Sequence, residues 1–201
     1  MTDLTPDQVM VLQSTWNAAL AAMTLGILWN ARSPSVYFWC LSGLLGSAFS
    51  LLSIGPLADL TYPTYWGQTL LGSVLVTGAS MKVAAIGLMT PGVKLRRPVV
   101  TGLMMLASLT LFPLMGVSRA ITSFLIILYL SALLFWLVQQ VFQLGKRLSV
   151  TNGKLFAALI AAQAILIFLL ASVAVLAGRD PLVPITQPLP VGTVAYSMVI
   201  S

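Results

Sequence analysis

The sequence predicts an all-α, polytopic membrane helix bundle: six full spans, a seventh incomplete one, and an N-terminus on the outer side. Three observations carry this. Of 201 residues, 59% are apolar and only 7% charged, with mean hydropathy +1.00, against about 25% charged in a soluble domain. Apolar runs recur at lengths near the ~20 residues that a helix needs to cross a bilayer. Lysine and arginine gather in alternate connectors, the pattern that sets membrane orientation.

Pro, Gly and charged residues bound each run. The first span covers Gln8–Trp29, with Thr5 or Asp7 beside Pro6 as capping candidates. The second covers Val36–Ile54 and the third Tyr65–Met89. Pro98 suits the first turn of the fourth, Val99–Met115; the fifth runs Ala120–Leu144 and the sixth Lys154–Ala177. These spans form one transmembrane domain over residues 1–201. The seventh segment, 190–201, follows a proline-rich stretch, Pro181–Pro190, that reads as an extended outer linker. At about 1.5 Å per residue it is too short to cross, and its apolar end suggests a helix that continues toward the cytoplasm.

Arg32, Lys94, Arg96, Arg97, Lys146, Arg147 and Lys154 fall on one side of this arrangement. Arg119 and Arg179 fall on the other, with all four acids, Asp3, Asp7, Asp59 and Asp180. The positive-inside rule makes the first side cytoplasmic. An integral membrane protein with its N-terminus outside is therefore expected. The net charge of +6 reflects orientation and implies no nucleic acid. The segment 1–8 lacks the cations of a signal peptide.

The residue inventory excludes much chemistry. There is no His, every acid is Asp, and Cys40 stands alone. Histidine-held haem, a zinc centre and a histidine general base are not available. No catalytic residue, metal site or cofactor is expected, and the chain is read as no enzyme. A retinal protein would need a Schiff-base Lys in its last helix, and residues 190–201 contain none.

The order of features has a likeness. An outward first helix leads to a short connector with Arg32. A Trp- and Gly-rich helix follows, Phe38-Trp39-Cys40-Leu41-Ser42-Gly43-Leu44-Leu45-Gly46, then an outer connector with Pro56 and Pro63. The third helix, from Leu70-Leu71-Gly72 through Gly78 and Lys82, ends in Lys94-Leu95-Arg96-Arg97-Pro98, and the fifth opens on Arg119 with Ser123 a turn later. This resembles the seven-helix membrane regions that precede diguanylate cyclase or histidine kinase modules in bacterial signalling proteins. No Gly-Gly-Asp-Glu-Phe stretch and no phospho-accepting His is present. The resemblance thus implies a sensing part without its output enzyme, set in the bacterial inner membrane with a periplasmic N-terminus.

Lys82 is the one charge well inside a predicted span. Such a charge marks function by default, although its stem could snorkel to the cytoplasmic headgroups. An internal partner would be a carbonyl, a hydroxyl or an anionic ligand. Arg119, at the outer end of the fifth helix, could hold a carboxylate or phosphate in a cleft rimmed by Tyr62, Tyr65, Trp66 and Gln68. The plain alternatives are an ion pair with Asp59 or Asp180 and an aromatic interface belt. Lys94, Arg96 and Arg97 would meet anionic lipid headgroups. Asn17, Gln13 and Gln163 should hydrogen-bond between helices, whereas Gln139 and Gln140 lie where water could reach them. Small residues of the second and third helices (Gly43, Gly46, Gly72, Gly78) suit close packing within the bundle or a homodimer seam.

Three function classes follow. The leading expectation is a sensor or receptor domain that passes a stimulus to a cytoplasmic output module through the last helix. The second is a non-catalytic accessory or scaffold subunit of a larger membrane complex. The third is a small-solute transporter or channel. Expected partners are the bilayer, a second copy or larger complex, and a small ligand on the outer face.

Overall fold

The computed structural model describes residues 6–28, 33–54, 57, 64–90, 92, 96–147, 153–176 and 178. They form six helices: α1 (Pro6–Ile27), α2 (Pro34–Leu52), α3 (Tyr65–Met89), α4 (Arg96–Leu111), α5 (Arg119–Arg147) and α6 (Gly153–Leu176). No strand occurs among the described residues.

Local chemistry sets the ends. Pro6 and Pro34 open their helices, where a missing N–H is harmless. Thr64 caps α3, its hydroxyl accepting from the Gly67 N–H at 3.0 Å. The sequence predicts that the fourth helix reaches Met115, but α4 ends at Leu111. Pro113 disfavours the helical conformation at Phe112. The chain then turns through Gly116 at φ +68°, and Val117 N–H bonds back to the Phe112 carbonyl at 3.2 Å.

The expected six spans and a partial seventh are corrected. Among the described residues only α2, α3 and α5 are long and apolar enough to cross a membrane. With 16 residues, α4 is about 24 Å long, short of a hydrocarbon core of about 30 Å. The first half of α1 is diluted by Asp7, Gln8, Gln13 and Asn17. Several side chains of α6 lie outside the described residues, as does the whole of segment 190–201. Counting every apolar run as a crossing overlooked helix length and the amides. The three qualifying helices are consistent with a membrane location.

Helices that follow one another in the chain run in alternate directions. Ser14 early in α1 meets Ser47 late in α2, with their hydroxyls 2.8 Å apart. Leu45 and Ser42 of α2 approach Gly78 of α3. Tyr65 and Thr122, near the starts of α3 and α5, share a hydrogen bond of 2.6 Å, so these two helices are parallel and α4 returns the chain between them. Leu133, Leu137 and Val141 of α5 pack with Ala157 and Ile160 early in α6. The first residues of α4 (Arg96, Arg97), the last of α5 (Lys146, Arg147) and Lys154 of α6 therefore all belong to one end of the bundle.

α3 is the hub, packed against α2, α4 and α5. Its apolar contacts form two cores: Val83 and Ile86 with α5 and α6, and Val76 with Leu109 and Ile126. Glycines let these helices close. A Cβ at Gly43 would lie 3.1 Å from the Ala21 Cβ, and one at Gly78 would lie 3.3 Å from that of Leu45. Such close approach maximises van der Waals contact, the main attraction between helices in lipid. These faces are thus used inside the bundle.

Candidate ligand cavity and the polar clasp

Among the described residues α2 has no extensive packing with α5 or α6. The space left between them, floored by α3, is a cavity of about 220 Å³. Val74, Leu75, Leu130, Leu134, Leu137 and Ile160 are among its apolar lining residues. Its polar lining is Lys82 near Trp39, with Ser42 three residues further along α2 and Asn17 of α1 beside Gly43 and Gly46.

Lys82 belongs to this cavity. Its Nζ stands 5.3 Å from the centroid of the Trp39 ring, inside the range of about 6 Å for cation–π attraction. The antiparallel register of α2 and α3 brings the two side chains level. Lys82 precedes the end of α3 by seven residues and Trp39 follows the start of α2 by five, roughly 10 and 8 Å at helical rise. The ammonium is thus directed at an aromatic face on the neighbouring helix. Asn17 is buried and packs beside Gly46; a Cβ there would lie 3.3 Å from Nδ2.

The other sequence-derived candidates separate. Gln68 is buried, and its Nε2 donates to the backbone carbonyl of Arg119 at 3.3 Å and to the hydroxyl of Ser123. With the Tyr65–Thr122 bond this makes a polar clasp between the starts of α3 and α5. Thr122 and Ser123 are fully buried within it. Trp66 is 58% exposed and points elsewhere, because residues two apart on a helix lie on different faces. The structure therefore brings Gln68 to Arg119 through the main chain, without Trp66. Tyr62, Asp59, Asp180 and Lys94 lie outside the described residues. Arg96 and Arg97 open α4 at the cationic end.

Comparison with family models, curated proteins and solved structures returns no match. The arrangement must be read on its own chemistry.

Further polar residues are placed differently from the sequence reading. Gln139 is exposed, but Gln140 is only 3% exposed, and its amide has no hydrogen-bond partner among the described residues. The expected water access fails for Gln140, which the bundle encloses. Trp39 had no site role in the sequence reading. Finding it requires the helix register, because nothing in Phe38-Trp39-Cys40 marks which face meets Lys82. No group of three or more His, Cys, Asp or Glu comes together among the described residues.

Proposed function

We propose that this chain is a non-catalytic, membrane-embedded sensor domain. It resides in the bacterial inner membrane with its N-terminus periplasmic, and it passes a stimulus from the cavity to a cytoplasmic output module. The observation that carries this reading is a cavity between loosely apposed helices with one cation in its wall. A space of this kind can be filled or left empty, and filling it biases the spacing of α2 against α5 and α6. The likeness to membrane regions of diguanylate cyclase and histidine kinase proteins supports the same reading. The gathering of cations at one end of the bundle supports the orientation.

Distance measurement tests it without knowledge of the ligand. In a Cys40→Ala background, spin labels at Tyr37→Cys and Gln143→Cys report the separation of α2 and α5 by pulsed electron resonance in nanodiscs. Two populations are expected. Leu134→Trp, which fills the cavity from α5, should shift their ratio. One narrow distance, unchanged by Leu134→Trp, would overturn the sensor reading.

A further inference from the structure

We propose that the tip of the α5–α6 hairpin is a docking site for anionic phospholipid, with Lys146, Arg147 and Lys154 as its cations. This goes beyond the sensor reading and does not depend on the cavity.

Helix length sets the level of the tip. Arg119 opens α5 and Lys146 stands one residue before its end, so about 40 Å of helix separates them. A bilayer measures about 40–45 Å with its headgroup layers and about 30 Å without them. With Arg119 at the opposite interface, the last turns of α5 lie among headgroups.

Helix register leaves the same turns uncovered by α3. Ile86 of α3 and Leu137 of α5 belong to one core. From there α3 runs three residues to Met89, whereas the parallel α5 runs ten to Arg147, about 5 against 15 Å. Its companion is α6, which begins at Gly153, one turn before Ala157 of that core. The hairpin therefore stands about 10 Å past the end of α3, and Gln143 and Lys146 are exposed on it.

Charge and chemistry name the occupant. No acid occurs in the sequence between Asp59 and Asp180, so neither helix of the hairpin nor its connector can neutralise the tip from within. The Lys146 Nζ lies 4.5 Å from the centroid of the Phe142 ring, one turn earlier, and that ring is itself exposed. Aromatic rings and snorkelling lysines both favour the membrane interface. A phospholipid meets the two together, its upper acyl chain beside the ring and its phosphate beside the ammonium. An acidic soluble partner matches the charge and leaves the ring unused. Each cation near an anionic membrane surface is worth about fivefold in local affinity.

The test uses the full chain with Cys40→Ala, reconstituted in phosphatidylcholine vesicles and carrying bimane at Gln143→Cys. Lipid brominated high in the acyl chain quenches the dye on contact, and is added as phosphatidylglycerol or as phosphatidylcholine. Phosphatidylglycerol should reach half-quenching at a mole fraction about tenfold lower, more than one cation alone would give. Combined Lys146→Gln, Arg147→Gln and Lys154→Gln should bring the two lipids within about twofold of each other. Should that variant fail to fold, 1 M NaCl on the unsubstituted cations serves instead: at a Debye length of about 3 Å it should remove most of the preference. Bimane at Ser118→Cys, at the opposite end of the bundle, should show no preference. The proposal is overturned if phosphatidylglycerol quenches no better than phosphatidylcholine at Gln143→Cys, if the preference survives neutralisation or high salt, or if Ser118→Cys shows it equally. Quenching by neither lipid would also overturn it, and would direct the tip to a soluble acidic partner.

Discussion

At the scale of single residues, the glycines separate into those that neighbours enclose and those that none do. A Cβ at Gly102 would lie 3.1 Å from the Ser80 hydroxyl and 3.2 Å from the Tyr129 hydroxyl, which are themselves 3.3 Å apart. Gly26 has nothing within 4 Å of its hypothetical Cβ. Gly102→Ala should therefore destabilise the fold, because two hydroxyls joined to each other must both give way. Gly26→Ala should be neutral, or stabilising by about 0.5 kcal/mol through helix propensity. Unfolding in mixed micelles distinguishes the two, and equal losses would contradict the packing described. The composition of these helices was legible from sequence, but not this contrast. Both glycines look alike in a linear reading, and only the approach of α3 and α5 to α4 makes one of them indispensable. Lys82 was legible as an anomaly for the same reason that its partner was not: a charge in an apolar run is visible locally, whereas Trp39 is one aromatic among several.

At the scale of elements, most helices follow their local signals. Tyr65–Met89 has the bounds that its flanking Pro63 and Pro91 suggest. The reading failed where apolarity alone was allowed to define an element, as in the tail beyond Leu111, where Pro113 and Gly116 turn the chain. It also overcounted crossings, because an apolar run carrying Gln13 and Asn17 was given the same weight as α3. Pairing of elements offers a direct check. Ser14 and Ser47 lie side by side, with Gly43 allowing α1 its close approach. In a Cys40→Ala background, Ser14→Cys with Ser47→Cys should form a disulfide readily under mild oxidation. Adding Gly43→Leu should slow it severely by driving Ala21 and the Asn17 backbone away. Unchanged oxidation would mean that α1 packs against α2 in another way.

At the scale of the whole molecule, alternating helix direction turns scattered cations into a polarised object. The beginnings of α4 and α6 and the close of α5 share one end, and the start of α5 with Ser118 belongs to the other. With Cys40 replaced, a membrane-impermeant maleimide applied to intact spheroplasts should modify Ser118→Cys and spare Gln143→Cys. The reverse pattern would invert the proposed orientation and remove the cytoplasmic output. The clasp of Tyr65 and Gln68 on α5 has a mechanical corollary. It tethers α3 to its parallel neighbour near one tip, while the ammonium rides nearer the opposite tip. Val83 and Ile86 pack on α5 and α6 close to that second tip, so a push at Lys82 passes sideways into those two helices and leaves Tyr65 in place. Such a load lands at the end of the bundle that gathers the cations of α4, α5 and α6.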